Sequence, residues 1–191
     1  MFGFKLGENA SKIFDPKGNA FNSSAKFGNM VGFFMALPID ENIGIEPEIL
    51  FSQKGFQATG VIADNNYQLR RTIDFIDVPI LFQFKLNPFL TICTGPQYSF
   101  LLHQHDHFSN SNLSTEQLNT FENNSLNKNY LGYVIGFDLN FQHLVFGARS
   151  GWDITNNSNL NNATSPTYKN VWLQASLGYR FYKNSQAPFF N

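Results

Sequence analysis

The chain has 191 residues, a net charge of −1, 14% charged residues and 16% aromatic residues, with Phe alone occurring 22 times. This balance excludes the basic footprint of a nucleic-acid binder and a polybasic membrane anchor, and the lone Cys93 excludes an internal disulfide framework. The mean hydropathy is −0.24 and no apolar run approaches the ~18 residues of a transmembrane helix, yet the charge content is too low to coat a soluble surface.

Period-two alternation predicts eight strands in chain order. Residues 2–9 set Phe2, Phe4 and Leu6 against Gly3, Lys5, Gly7 and Asn9. Residues 27–37 set Phe27, Val31, Phe33, Met35 and Leu37 against Gly28, Gly32 and Ala36. Residues 43–54 set Ile43, Ile45, Ile49 and Phe51 against Gly44, Glu46, Glu48, Ser52 and Lys54. Residues 70–86 put Ile76, Val78, Ile80, Phe82 and Phe84 opposite Asp77, Gln83 and Lys85. Residues 89–102 put Leu90, Ile92, Tyr98, Phe100 and Leu102 opposite Thr91, Gly95, Gln97 and Ser99. Residues 130–141 put Leu131, Tyr133, Ile135, Phe137 and Leu139 opposite Gly132, Gly136, Asp138 and Asn140. Residues 144–154 put Leu144, Phe146, Ala148, Trp152 and Ile154 opposite Val145, Gly147, Arg149 and Asp153, with Ser150 an outlier on the apolar face. The last strand, 170–182, puts Val171, Leu173, Ala175, Leu177, Tyr179 and Phe181 opposite Asn170, Trp172, Gln174, Ser176 and Arg180. Pro47, Pro79 and Pro96 sit inside these runs, where each removes a ladder donor or marks a bulge.

The connections alternate in length. Residues 10–26, 55–68, 103–128 and 155–169 are long, whereas Pro38 to Asn42, Asn87-Pro88 and Gln142-His143 are short. Long outer loops and short periplasmic turns are the layout of a bacterial outer-membrane barrel, with both termini periplasmic. The expected fold is therefore all-β: an eight-stranded antiparallel up-and-down transmembrane β-barrel over residues 1–183, followed by a short tail, 184–191. Strands of ~11 residues tilted near 40° reach about 28 Å, enough to cross the hydrocarbon core. An outer-membrane protein needs a secretion signal, and Phe2-Gly3-Phe4-Lys5 already reads as strand, so the sequence is read as a mature chain with a start Met.

A soluble lipocalin-like barrel that binds a ligand would alternate in the same way with its apolar face inward. Three features favour the membrane. The polar face is rich in Gly, which suits a crowded interior; charges are scarce; and aromatics gather near strand ends as interfacial girdles.

Several segments resemble a known family. Gly3-Phe4-Lys5-Leu6-Gly7-Glu8-Asn9-Ala10-Ser11 resembles the G-x-K-x-G-x-N-x-S opening of the PorT-like outer-membrane β-barrel family of Bacteroidetes. Glu48-Ile49-Leu50-Phe51-Ser52-Gln53-Lys54-Gly55 is similar to its E-L-x-F-S-x-K-G segment, and Phe75-Ile76-Asp77-Val78-Pro79-Ile80-Leu81 to its Y-L-E-I-P-L-L segment, with Phe75 for Tyr and Asp77 for Glu. Gly95-Pro96 and Gly178-Tyr179-Arg180-Phe181 match two further family positions. The resemblance implies an outer-membrane barrel. The namesake's part in protein secretion does not carry over to this chain.

With the polar face inward, the lumen would hold Lys5, Glu46, Glu48, Lys54, Asp77, Lys85, Asp138, Arg149, Asp153 and Arg180. The signs balance and an eight-stranded barrel is only wide enough for side chains, so these residues are expected to pair into one network that plugs the lumen. A narrow channel or a transport or secretion accessory is the alternative. His103, His105 and His107 alternate, which would put three imidazoles on one face at a spacing suited to Zn²⁺ or Cu²⁺. No P-loop, Rossmann fingerprint or nucleophile elbow is present. The expectation is a monomeric, non-enzymatic barrel without a cofactor. Its partners would be membrane lipids and a protein or glycan at the loops, chiefly 103–128 and 155–169.

Overall fold

A computed structural model describes residues 1–14, 22–62, 65–109, 128–155 and 169–181. The described strands are β1 (Phe2–Phe14), β2 (Asn22–Met35), β3 (Leu37–Pro38), β4 (Ile43–Ile62), β5 (Asn65–Lys85), β6 (Leu90–Ser109), β7 (Asn129–Phe141), β8 (Leu144–Asp153) and β9 (Lys169–Phe181). The two residues of β3 continue β2 beyond Ala36, so the nine segments make eight staves. Every pairing is antiparallel in the order β2-β1-β9-β8-β7-β6-β5-β4, and a β2–β4 ladder closes the ring. Closure removes both sheet edges, which is what allows a sheet to stand in lipid.

The alternation decides which way each side chain points. Along β1 the residues Gly3, Lys5, Asn9 and Ser11 are buried while Phe2, Phe4 and Leu6 are exposed. The same division holds on β8, where Arg149 and Asp153 are buried and Phe146 and Trp152 are exposed. The polar face is thus inside and the apolar face outside. A soluble lipocalin-like barrel needs the reverse, and this structure does not have it. At the short-turn end Phe2 and Phe181 pack with ring centroids 5.2 Å apart, Phe4 and Tyr179 at 6.1 Å, and His143 stacks on Tyr179 at 5.4 Å. These rings form an aromatic girdle. Gln142 adopts φ 48° in the two-residue β7–β8 turn, as tight hairpins of this length require.

Three expected loops are shorter than their sequence suggests. β1 runs to Phe14 and β2 starts at Asn22, inside the expected loop 10–26. β4 and β5 continue to Ile62 and from Asn65, so most of 55–68 is hairpin rather than loop, and β6 reaches Ser109, into 103–128. Above the lipid both faces of a strand meet polar surroundings, so the ladder continues after the period-two signal has gone. Residues 110–127, most of 155–169 and the tail 184–191 lie outside the described residues.

None of the three prolines marks a register shift. Pairing lapses between Pro47↔Ile80 and Leu50↔Asp77, and between Pro79↔Gln97 and Phe82↔Thr94, then resumes in register. The shifts fall elsewhere, between Ala25 and Met30 on β2 and between Asp74 and Phe75 on β5, opposite Leu102 of β6.

Candidate functional site

The centre of the lumen holds one ionic cluster. Lys5 Nζ lies 2.5 Å from Glu48 Oε1 and 3.3 Å from Glu46 Oε1. Arg149 donates through Nη1 to both oxygens of Glu48, at 2.8 and 2.9 Å, while its Nη2 reaches Glu46 at 3.3 Å and Asp138 at 3.4 Å. Gln83 Nε2 donates to Glu46 Oε2 at 2.8 Å. All five charged side chains are at most 4% exposed. Buried charges hold only when paired and hydrogen-bonded, and each carboxylate here meets at least one cation.

The cluster forms across strands that are not neighbours. Lys5 stands on β1 and Glu48 on β4, with β2 between them. The β2 residue opposite Lys5 is Gly32, and the one opposite Asn9 is Gly28. A Cβ at Gly32 would lie 2.1 Å from the Ile49 carbonyl oxygen, and one at Gly28 would lie 2.4 Å from that of Gln53. The missing side chains let β1 and β4 touch over the top of β2. Asn9 Nδ2 donates to Ser52 Oγ at 2.8 Å and Gln174 Nε2 donates to Asn9 Oδ1 at 3.0 Å. Gly55 N donates to Ser11 Oγ at 2.7 Å, and Ser11 Oγ donates to the Gly55 carbonyl at 2.9 Å. The residues that carry the PorT-like resemblance are therefore contact partners: Lys5 with Glu48, Asn9 with Ser52, Ser11 with Gly55.

The other expected charges do not join this cluster. Lys54 pairs with Asp77 at 2.8 Å and lies 3.9 Å from the centroid of Trp172 and 5.1 Å from that of Phe75. Asp153 accepts two hydrogen bonds from Asn170. Arg180 donates to Asn140 Oδ1 at 2.9 Å, and Asn140 donates to Thr91 Oγ1 at 3.0 Å, near the periplasmic rim. Lys85 ends β5 at that rim, half-buried. The single network expected from sequence is thus several tiers stacked along the axis. Apolar fillers separate them: Leu81, Cys93, Val134 and Trp172 in one group, and Ile73, Phe75 and Tyr130 in another.

Sequence reasoning missed one tier. Arg71 forms a two-pronged contact with Asp106, Nε to Oδ1 at 2.8 Å and Nη2 to Oδ2 at 2.7 Å, and Gln104 Nε2 adds a third donor at 2.9 Å. Counting back from Asp77 in twos reaches Arg71, so its inward direction was legible. Asp106 was not, because the bulge at Leu102 shifts the phase of β6 by one residue. The same shift turns His103, His105 and His107 outward, all exposed. They do share one face, and His103 and His105 stack at 6.3 Å. The expected metal site does not form, however: among the described residues no group of three His, Cys, Asp or Glu side chains converges on a metal position.

The family described as outer membrane protein beta-barrel domain matches residues 1–159. No curated protein is significantly similar in sequence. Among solved structures, Ail, the attachment invasion locus protein of Yersinia pestis, is 12% identical with a TM-score of 0.48, covering 94% of this chain and 97% of its own. Neisserial surface protein A is 13% identical with a TM-score of 0.49 over the same shares. OprG from Pseudomonas aeruginosa is 14% identical with a TM-score of 0.45, covering 95% of this chain and 94% of its own.

Proposed function

Because this chain belongs to the outer membrane protein beta-barrel domain family, we propose that it is a non-catalytic barrel of the bacterial outer membrane, with its lumen shut and its work done at the extracellular surface. The observation that supports this reading is the ion cluster on Lys5, Glu46, Glu48, Asp138 and Arg149, which fills the middle of the lumen with buried, paired charges. A side chain held by two or three partners is a poor gate or proton carrier, because each displacement strands a buried charge. The strand extensions point to the surface as the working face. β4, β5 and β6 rise well beyond the apolar belt, and the Arg71–Asp106 pair braces β5 against β6 there. Segment 110–127, which follows β6, and segment 156–168, which joins β8 to β9, are the proposed contacts for a partner protein or glycan. The contacts among motif residues also favour membership of the PorT-like barrels of Bacteroidetes.

Two measurements test the reading. In planar bilayers the purified barrel should show no conductance steps above background; steady steps would make it a channel. In cells lacking the chain, wild type should restore whatever envelope property the deletion changes. A barrel with 110–127 and 156–168 replaced by short Gly/Ser turns should fold, insert and fail to restore it. Full restoration by the trimmed barrel would place the function in the barrel wall or lumen instead.

A further inference from the structure

The outer wall carries a carboxylate where lipid should be. Glu8 of β1 is exposed, points away from the lumen, and pairs in register with Asn29 of β2, which is also exposed on the outside. Strand rise and tilt place Glu8 about 15 Å above Phe2 along the barrel axis. Phe2 belongs to the periplasmic aromatic girdle, and the apolar belt of such barrels is about 25 Å tall. Glu8 therefore sits well inside the belt, where a charged or strongly polar group facing acyl chains is costly. Among the described residues neither the Glu8 carboxylate nor the Asn29 amide has a side-chain hydrogen bond or ion pair within the protein.

The surrounding wall is shaped as well as polar. Ala148 on β8, Ala175 on β9, Glu8 and Asn29 form one hydrogen-bonded row across four staves. The flanking rows carry more bulk, except at Ala10 directly above Glu8. Leu6 and Val31 stand below, at 50% and 52% exposed, and Leu173 and Phe27 stand above, at 62% and 70%. The small residues leave a furrow with large apolar walls and a donor–acceptor pair at one end.

We infer that the outer β1–β2 face docks a second copy of the chain in the membrane, with Glu8 of each copy accepting hydrogen bonds from Asn29 of the other. A lipid acyl chain offers no donor to Glu8. A second copy offers one at the same depth, by symmetry. Both copies insert in one orientation, so a two-fold axis relating them runs along the membrane normal. Rotation about that axis exchanges left and right, so the carboxylate on β1 meets the amide on the facing β2, twice. The same rotation sets Leu6 of each copy against Val31 of the other, and the bulky Phe27 against the small Ala10. This departs from the monomer expected on sequence grounds.

Sedimentation equilibrium of the full barrel in density-matched detergent tests the inference, with heat-modifiable electrophoretic migration confirming that each variant is folded. Glu8→Leu removes a costly lipid-facing group, so the barrel itself should remain folded. The wild type should be dimeric. Glu8→Leu and Asn29→Leu should each weaken association about tenfold or more, since each removes both symmetric contacts. The exchange variant Glu8→Asn with Asn29→Glu should keep the wild-type association, because the two-fold axis still pairs one carboxylate with one amide. A monomeric wild type, or a dimer that Glu8→Leu leaves unchanged, would overturn the inference. So would an exchange variant as weak as the single ones, which would assign Glu8 to a lipid headgroup or an unrelated partner.

Discussion

Replacing Arg149 with Met removes the cation that does most to hold the lumen together. Two cations, Lys5 and Arg149, face three carboxylates, Glu46, Glu48 and Asp138, and Arg149 touches all three. Without it, Lys5 alone remains for the two glutamates, and Asp138 loses its ion pair with Arg149. Breaking one partner out of a buried ion pair costs about 3–5 kcal/mol, because the remaining charge is left desolvated. Met fills much of the same volume, so packing adds little to that figure. Urea unfolding in lipid vesicles reads the loss, with tryptophan emission as the probe: Trp172 lies inside the lumen and Trp152 outside, so both environments change on unfolding. A second change, Glu48→Gln, should recover part of the loss by removing one stranded charge. If Arg149→Met costs under ~1 kcal/mol, the cluster is hydrated rather than buried, and the closed lumen falls with it. The exchange Arg149→Asp with Asp138→Arg is a poorer test than it looks, because the new Asp would face Glu46 and Glu48 as well.

Other outcomes follow from single contacts. Lys54→Met should destabilise by about 3 kcal/mol through the stranded Asp77, and should shift the emission of Trp172, which loses a cation 3.9 Å from its ring. Gly32→Ala should destabilise by about 1–3 kcal/mol in the same unfolding assay, because its Cβ would press on the β4 backbone where Lys5 crosses. Ile135→Arg, on the outer face of β7, should cost about 2–4 kcal/mol in vesicles and much less in detergent that can deform around the charge; equal costs in both would argue that Ile135 does not face lipid.

The barrel was legible because lipid and lumen impose opposite demands on successive residues. On β7, β8 and β9 that demand is met almost without exception, and the expected bounds 130–141, 144–154 and 170–182 differ from the observed strands by at most one residue at either end. Where the strand leaves the membrane the demand lapses. The stretches Gln57 to Ile62 and Asn65 to Gln68 therefore read as loop while their backbones continue the β4 and β5 ladder. Charges on the inner face could be found by parity, but their pairing could not. Which cation meets which carboxylate depends on side-chain length, on the stagger between staves and on gaps such as Gly28 and Gly32, none of which shows in a period of two. A single bulge was enough to hide the inward direction of Asp106. The lipid-facing Glu8 was visible as an interruption of the Phe2, Phe4, Leu6 series, but its depth required the register.

The contacts between the first and last strands constrain how such a barrel comes to exist. β1 pairs with β9 through thirteen consecutive positions, Phe2↔Phe181 to Phe14↔Lys169, and Gln174 reaches Asn9 inside the ring. Neither contact can form until the final stave has been made and brought home. The ionic cluster shares this delay, because Lys5, Glu48 and Arg149 stand on β1, β4 and β8 and no hairpin contains two of them. Partly assembled sheets must keep these charges in water, and only closing the seam strips that water away. Loop-closure entropy and desolvation thus fall on the same late step. The expected kinetics are a slow, single-exponential insertion without a stable half-barrel. Unfolding should begin at the β1–β9 seam, and a variant that weakens the seam should speed unfolding and insertion failure in equal measure.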